Sequence, residues 1–360
     1  VKIRTEPMCE AGYTFGLSTG GQLQQVSPSG VVTNLGSPAS SSDSYFNGLG
    51  IGSNGEVYSI LRTGSSGTSL NATVYAYDKS KGTWSSTGAS TSSLGGNTGT
   101  SLIAGAVDLS TNLYYFGGFT SNGNFKVYEY NPSASQKLRL KGTIQTSASS
   151  GSNVDMAFDS AGNLYIVRGE SSKETEYSVT ADNFRAANGG AITSSTSADF
   201  TVASDTNVNG IAFDSQGKGY LANGTEVRSY DMPGWKNGTL VSNKLVSSGD
   251  LASCSSPPTI TIEKYVDGAR VSHNDQFTLT LKQGSTTIGT ATTTGSETGL
   301  QSERVGPLPT VRGVPLTFSE TGAKSTNMSN YASSYRCYVD GVLDSSASGD
   351  GTTGTITIPT

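Results

Sequence analysis

A short phrase that recurs four times in the first two thirds of the chain constrains the fold more than any other feature. Each copy places a strand of small and apolar residues, a tight turn and an aromatic strand in succession, and the copies begin at Tyr45, Ile103, Val154 and Asn209. Intervals of 55, 51 and 55 residues separate their turn residues, which are Ser53, Asp108, Asp159 and Asp214. A self-similar period of this size, made of short strands and turns, predicts a β-propeller with one blade per repeat.

Each repeat has room for four strands. The turn after the first strand reads Asp-Ser-x-Gly in two copies, where the aspartate caps its own backbone two residues on and glycine accepts a positive φ. The second strand is aromatic, as in 164–166, and the third alternates apolar and polar residues, as in 74–77. Alternation with a period of two indicates a half-buried strand. A fourth strand, short and rich in Thr and Ser, completes the predicted blade.

The two ends of the repeat region predict how the ring closes. Residues 12–38 supply three strands of a blade with no inner strand before them. The segment DLASC at 250–254 aligns with the inner-strand segment DMAFD at 155–159. We therefore predict a five-bladed β-propeller over residues 1–254, in which the N-terminal strands pair with a closing strand at 249–254.

Two of the three cysteines lie where the ring is expected to close. In the alignment Cys254 ends the closing strand, and Cys9 precedes the strand that pairs beside it. A Cys9–Cys254 disulfide would close a loop of about 245 residues and, in the chain-entropy model, stabilise the fold by on the order of 4–5 kcal/mol. Two alternatives stay open at this stage: Cys337 as the partner of Cys254, or three unrelated thiols.

Composition indicates the compartment. The chain has 14% charged residues, 46 glycines, one histidine and a net charge of −5, which is typical of a secreted all-β protein. No apolar stretch approaches the roughly 20 residues of a membrane span. Scattered Lys and Arg form no basic stripe, which argues against nucleic acid as a partner. The first residues do not form a signal peptide, so we expect an extracellular protein whose signal peptide has been removed.

A second domain is expected after residue 254. The sequence Ser-Ser-Pro-Pro at 255–258 marks the boundary, and the propeller phrase does not return after it. Segments such as TITIEKYV, DQFTLTLKQG and VPLTFSE alternate apolar and polar residues. They predict an Ig-like β-sandwich of five or six strands over residues 255–360.

Both domains resemble known surface-protein families. The segments PTITIEKYVDG from Pro258, DQF from Asp275 and LTFSE from Leu316 resemble the prealbumin-like repeats of Gram-positive surface and pilin proteins, of the SpaA or collagen-adhesin B type. The propeller, with YFNGL from Tyr45 and DMA from Asp155, resembles an uncharacterised propeller family of actinobacterial cell-surface proteins. The resemblance implies a cell-surface protein with a prealbumin-like second domain.

The same resemblance implies a candidate cross-link. Many prealbumin-like domains carry an isopeptide bond, in which a first-strand Lys attacks a last-strand Asn and a buried Glu relays the proton. This chemistry needs desolvation, so that the amine is neutral and the carboxyl protonated. Lys264 and Glu320 occupy the matching positions, although a solvated lysine is an equal alternative. No matching Asn precedes Thr360, so we expect a sandwich lacking its last strand, no Lys264–Asn bond, and a partner for Cys337 outside these residues.

One set of polar residues is a candidate ligand site. Asp155 and Asp250 occupy equivalent positions at the start of inner strands, and Asn47 and Asn209 lie one position away in their own blades. These side chains can converge on the axial channel and bind a cation, a water cluster or a sugar. The alternative is that they bond to the backbone of the inner strands.

Aromatic residues in or beside loops are candidate recognition groups. Trp84, Trp235 and Phe119 are expected at the surface, where they can stack on glycans or contact a protein. The alternative for each is packing between blades. The single histidine, His273, lies in a polar turn, and the sequence shows neither Cys/His metal spacing nor a nucleophile elbow. We therefore expect no catalytic residues, no metal and no cofactor.

These features favour a non-enzymatic extracellular protein with a propeller head on a sandwich stalk. The expected partner is a glycan or protein on a host or neighbouring cell. One alternative is a structural subunit of an extracellular filament or coat, in which copies of the chain donate a strand into the incomplete sandwich. Another is a propeller polysaccharide lyase or glycosidase, which a chain with one histidine disfavours.

Overall fold

The computed structural model describes residues 4–39, 45–63, 70–146, 153–170, 173–201, 208–246 and 248–360. The chain divides into two compact units, Val1–Pro258 and Thr259–Thr360. Strands make up most of the ordered elements of both units. In the part of the chain that the structure describes, no helix is long and apolar enough to cross a membrane.

In its described residues, the first unit forms five β-sheets, which serve as blades. Its elements, in chain order, are β1 (Thr14–Ser18), β2 (Leu23–Val26), β3 (Val32–Leu35), β4 (Phe46–Ile51), β5 (Val57–Thr63), β6 (Asn71–Asp78), β7 (Thr83–Ser90), β8 (Ala104–Asp108), β9 (Leu113–Phe119), β10 (Phe125–Tyr130), β11 (Leu138–Ile144), β12 (Asn153–Phe158), β13 (Leu164–Glu170), β14 (Lys173–Val179), α1 (Ala181–Ala186), β15 (Ala191–Ile192), β16 (Ser195–Phe200), β17 (Gly210–Phe213), β18 (Lys218–Ala222), β19 (Val227–Asp231), β20 (Lys236–Ser242) and β21 (Ser248–Ala252). A 3₁₀ turn at Thr91–Leu94 follows β7.

Strand pairing defines five blades. One blade combines strands from both ends of the unit, in the order β21-β1-β2-β3, and is called the clasp blade here. Blade 1 has the order β4-β5-β6-β7. Blade 2 consists of β8 to β11 with β15 on its outer edge, blade 3 of β12, β13, β14 and β16, and blade 4 of β17 to β20. The inner strands β4, β8, β12, β17 and β21 each contact the next, and β21 contacts β4. The predicted five-bladed propeller fold is therefore confirmed.

The ring is closed by strands from both ends of the unit. β1 pairs antiparallel with β21, so that Phe15 lies opposite Ala252 and Gly16 opposite Leu251. A disulfide joins Cys9 to Cys254 across a sequence separation of 245 residues. Closure thus has a hydrogen-bonded part in the clasp blade and a covalent part beside it.

The inner strands contain small residues because their backbones approach one another closely at the axis. A Cβ atom on Gly105 of β8 would lie 2.1 Å from the carbonyl oxygen of Gly48 in β4. A Cβ atom on Gly210 of β17 would lie 2.5 Å from Cβ of Leu251 in β21. Backbones that approach this closely exclude side chains, which is why the first strand of each repeat is rich in Gly and Ala.

Large side chains fill the spaces between blades. The cluster between blades 1 and 2 contains Ile60 and Val74 from one blade and Tyr114 and Phe116 from the other, all at most 1% exposed. Burial of each such side chain contributes roughly 1.5–3 kcal/mol. The aromatic second strand of the repeat therefore supplies the packing that holds neighbouring blades together.

The aspartates of the repeat turns cap their own loops. In Asp159, Oδ1 accepts from the backbone N–H groups of Ala161 at 2.9 Å and Asn163 at 3.0 Å. Its Oδ2 accepts from the hydroxyl of Tyr165 at 2.9 Å. Burial raises the pKa of this carboxyl above its ordinary value, against these hydrogen bonds. The turn and the aromatic strand of the repeat are thus linked by one side chain.

Blade 3 carries an insertion that the repeat pattern did not predict. After β14 the chain forms α1, whose N-cap Thr180 accepts a hydrogen bond from the N–H of Asn183 at 3.2 Å. Phe184 of this helix is 1% exposed and packs against Tyr115 and Phe158. β15 then pairs in parallel with β11. The insertion therefore covers the outer edge of the neighbouring blade 2.

The second unit is an all-β domain of eight strands. They are β22 (Thr259–Val266), β23 (Gln276–Gln283), β24 (Thr286–Thr292), β25 (Gly299–Pro309), β26 (Pro315–Ala323), β27 (Ser334–Val339), β28 (Val342–Asp350) and β29 (Thr353–Thr357). A 3₁₀ turn at Met328–Asn330 precedes β27. The sheets have the orders β22-β25, β24-β23-β26-β29 and β27-β28. The prediction of five or six strands was too low because it missed β25 and β28; β28 is rich in Ser and Asp and lacks the apolar alternation used to identify strands.

We predict that replacing Cys9 with Ser lowers the free energy of unfolding by about 4–5 kcal/mol, because the unfolded chain loses a long closed loop. The measurement is denaturant unfolding of the oxidised protein. Cys337→Ser is the matched control, since it removes a thiol without opening a loop and is expected to change stability little. Equal stability of Cys9→Ser and the control would contradict a disulfide role in closure.

Candidate functional site

Two buried carboxyl groups meet at the axis of the propeller. Asp155 of β12 and Asp250 of β21 are both 0% exposed. Their carboxyl groups share a hydrogen bond. Two carboxylates in an apolar environment repel each other and lose their hydration, so a shared proton and further donors are required for such a pair to be stable.

Backbone N–H groups of three inner strands bond to Asp155. Its Oδ1 accepts from Met156 N of the same strand at 2.8 Å and from Gly105 N of β8 at 3.4 Å. Its Oδ2 accepts from Ile211 N of β17 at 2.8 Å. One side chain thus bonds to the inner strands of blades 2, 3 and 4.

Asp250 makes the corresponding bonds to the remaining two inner strands. Its Oδ1 accepts from Leu251 N of β21 at 2.8 Å, and its Oδ2 accepts from Leu49 N of β4 at 2.5 Å. Through its hydrogen bond with Asp155, this carboxyl is connected to the other three inner strands. The axial carboxyl pair, Asp155 with Asp250, therefore bonds to all five blades.

The environment keeps the pair partly protonated. Burial raises the pKa of Asp155 to about 7, against the stabilising hydrogen bonds from Asp250 and the backbone. Burial, followed by the charge of Asp155, raises the pKa of Asp250 well above its ordinary value. At neutral pH these raised pKa values therefore favour a pair that retains at least one proton.

The two predicted asparagines bond to backbone near the same axis. Asn47 Oδ1 accepts from the N–H of Gly48 at 2.8 Å, and Asn209 Nδ2 donates to the carbonyl of Ser248 at 3.2 Å. The hydroxyl of Tyr114, a residue that the sequence did not single out, donates to the carbonyl of Gly48. These contacts satisfy inner-strand groups instead of forming an open ligand shell.

A narrow cavity continues along the axis. It has room for about 20 Å³ and is lined mainly by apolar side chains of the inner strands, among them Ile51, Val107, Met156, Phe158 and Phe213. A water molecule needs roughly 10–15 Å³ by this measure. The cavity therefore accommodates one or two waters and is too small for the sugar considered among the ligands of Asp155, Asp250, Asn47 and Asn209.

Two of the three predicted surface aromatics are buried, and the third is half-buried. Trp235 is 7% and Phe119 is 3% exposed, whereas Trp84 is half-buried against the core of the clasp blade. The ring centre of Trp235 lies 4.9 Å from that of Phe200, and that of Phe119 lies 5.5 Å from that of Phe125. Apolar rings of this size gain more from packing between and beneath blades than from exposure. The prediction was wrong for Trp235 and Phe119, whereas Trp84 keeps part of its ring exposed.

Glu174 of β14 is a further buried acid that the sequence did not identify. It is 0% exposed, and among the residues that the structure describes neither carboxylate oxygen has a hydrogen-bond partner. Burial raises its pKa to about 7. No signal in the sequence marks it, because Lys-Glu-Thr-Glu at 173–176 reads as a solvated strand. An unpaired buried acid of this kind weakens the packing of blade 3 when it ionises.

The second unit brings the candidate cross-link residues together. Lys264 Nζ of β22 lies 2.5 Å from Glu320 Oε2 of β26, and the two side chains are 18% and 12% exposed. The same Nζ lies 4.5 Å from the ring centre of Phe277. Lys264 is thus a largely buried, paired lysine, not a solvated one. In the described residues, β22 has one strand partner, β25.

The remaining candidate groups lie apart from one another. His273 is exposed in a turn before β23. Cys337 of β27 is a free thiol whose Sγ lies 3.1 Å from the carbonyl oxygen of Ala347, and burial raises its pKa. Across the described ranges, no three His, Cys, Asp or Glu residues are grouped so as to hold a metal ion.

Residues 259–360 match a SpaA-type family model described as a prealbumin-like fold domain. No curated protein matches the chain. Similar solved structures include a Lactobacillus plantarum protein, with 14% identity, coverage of 96% of each chain and a TM-score of 0.36. AofleA from Arthrobotrys oligospora is 9% identical over 98% of this chain and 88% of that chain, with a TM-score of 0.40. The periplasmic gluconolactonase PpgL of Pseudomonas aeruginosa is 12% identical over 96% of each chain, with a TM-score of 0.38.

We predict that stability falls as pH rises because of the axial carboxyl pair. An aspartate in the unfolded chain loses its proton near pH 4, whereas the folded Asp155 holds it until about pH 7. The folded state then binds more protons, and the free energy of unfolding falls by up to about 1.4 kcal/mol per pH unit for each extra proton.

The measurement is denaturant unfolding between pH 4 and 8 of the wild type and Asp155→Asn, which cannot ionise at this position. Glu174 also titrates near neutral pH, so the difference between the two curves isolates the axial pair. We expect the variant to be less stable at pH 4 and its curve to be flatter. Parallel curves would contradict a protonated pair.

Proposed function

We propose that this protein is an extracellular surface protein whose propeller binds a partner and whose prealbumin-like unit serves as a stalk module. The observation that carries the proposal is the family match of residues 259–360. Prealbumin-like domains of the SpaA type support an adhesin or pilin-type role. The propeller precedes this domain in the chain, and we propose that it is the recognition head.

The disulfide bond supports an extracellular location. The Cys9–Cys254 disulfide joins parts of the chain that are 245 residues apart. Disulfides of this structural kind form and persist in oxidising environments such as the cell surface. The low content of charged residues, 14%, is typical of the same compartment. We therefore propose that the protein is secreted to a cell surface.

The propeller is suited to presenting loops from a rigid support. Its inner strands are bonded to one another through the axial carboxyl pair, and its blades are closed by β21 and the disulfide. Binding residues in such folds lie on loops that a scaffold holds in place. We propose recognition rather than turnover as the activity. The single histidine lies in the other unit, and Asp155 and Asp250 are committed to backbone N–H groups.

The stalk proposal has its own structural support. Lys264 and Glu320 form a buried ion pair that links β22 to β26, strands of two different sheets. A buried pair of this type is costly to separate because each partner would be left uncompensated. We propose that the pair holds the two sheets together when the domain is under load.

We predict that fluorescently labelled full-length protein binds saturably to intact cells from a panel of bacteria and eukaryotes, measured by flow cytometry. Excess unlabelled full-length protein should compete, whereas excess of residues 259–360 should not, because binding resides in the propeller. Competition by 259–360 alone would place recognition in the second unit. The assembly of the pure protein into regular filaments, seen by electron microscopy, would contradict the head-and-stalk proposal.

A further inference from the structure

One aromatic ring of the propeller unit stands in solvent. Tyr45, directly before β4, is 62% exposed, and it is the exposed aromatic among the residues that the structure describes in this unit. The residue after it, Phe46, is 2% exposed and belongs to the core. The sequence analysis did not select Tyr45, because the repeat pattern presents it as part of an inner strand.

The backbone at Tyr45 adopts an unusual conformation. Its φ is 60°, in the left-handed region that bulky residues rarely occupy. Glycine or asparagine would adopt this conformation with less strain. Strained residues persist where the surroundings fix them, and they concentrate at binding sites. Local folding alone therefore does not explain a tyrosine at this position.

Arg62 of β5 fixes the position of Tyr45. Its Nε donates to the carbonyl oxygen of Tyr45 at 3.1 Å, and its backbone N–H donates to the same oxygen at 3.3 Å. A terminal nitrogen donates to the carbonyl of Ser101, which precedes blade 2, at 3.4 Å. The guanidinium carbon lies 5.9 Å from the centre of the Tyr45 ring. The ring and the guanidinium thus form a fixed unit at the junction of blades 1 and 2.

This unit offers two complementary kinds of contact. The tyrosine ring supplies a flat apolar face that loses little side-chain entropy when covered. A guanidinium has five N–H donors, and Tyr45 and Ser101 accept from two of them. Among the described residues, the structure shows no acceptor for the other three donors, and the guanidinium lies over the ring. An apolar ring next to fixed donors matches a pyranose, which has one face of C–H groups and a rim of hydroxyl oxygens.

We propose that Tyr45 and Arg62 form a carbohydrate-binding platform that takes one pyranose residue of a cell-surface glycan. The sugar ring lies on the tyrosine face, and its hydroxyl oxygens accept from the guanidinium. The inference rests on the proposed function and names the ligand class for it. A protein partner fits less well, since a stable protein interface covers roughly 800 Å² on each side, far more than one ring and one guanidinium offer.

The test uses the full-length protein on an array of defined oligosaccharides, followed by calorimetric titration of the oligosaccharide with the highest signal. Tyr45→Asn removes the ring and suits the positive φ, so it should fold with an unchanged or higher melting temperature. We expect it to bind about tenfold or more weakly, the equivalent of about 1.4 kcal/mol. Tyr45→Phe keeps the ring face and should stay within about threefold of wild type.

Cells treated with periodate, which oxidises their glycans, provide the second arm. We expect wild-type protein to lose binding to treated cells. Cell binding that survives the treatment would overturn the carbohydrate class, and glycan binding that is unchanged in Tyr45→Asn would overturn this site. In both cases the recognition role of the propeller would stand. Absence of binding to untreated cells and to the array would overturn the proposed function together with this inference.

Discussion

The hydrogen bond between Asp155 and Asp250 is the contact on which the propeller depends. Five inner strands surround an axis too narrow for side chains larger than those of Gly and Ala at many positions, and their N–H groups need acceptors there. The axial carboxyl pair supplies acceptors to all five strands. Two buried acids are tolerated because they share a proton and because N–H groups of the backbone replace water.

The axial carboxyl pair also links the closing strand β21 to the other inner strands. Asp250 belongs to β21, the strand that completes the clasp blade, and Cys254 follows two residues after that strand. A chain that has not placed β21 lacks the bonds from Asp250 to Leu49 and Asp155. Closure, axial bonding and the disulfide are therefore formed by one short segment, and a closed ring gives Tyr45 the rigid support that we propose for recognition.

Much of this architecture follows from local sequence signals. The repeat period, the capped turns and the lone inner strand at 250–254 all depend on residues near one another in the chain, so they predict the blades and the closure. Which aromatic ring faces solvent depends instead on the neighbouring blade: Trp235 stacks on Phe200 of blade 3, whereas Tyr45 is held outward by Arg62. Glu174, for which the described residues provide no hydrogen-bond partner, escaped prediction for the same reason, since its burial comes from neighbouring elements.

The most direct test of this account is infrared spectroscopy of the full-length protein at neutral pH, comparing the wild type with Asp250→Asn. A protonated carboxyl group has a C=O stretching band that a carboxylate and an amide lack. Glu174 is present in both proteins and cancels in the difference spectrum. We predict a protonated-carboxyl band in the wild type that is weaker in the variant, in which Asp155 is the remaining axial acid. A difference spectrum without that band would mean that the axial pair holds no proton, and the account of how the five blades are joined would be contradicted.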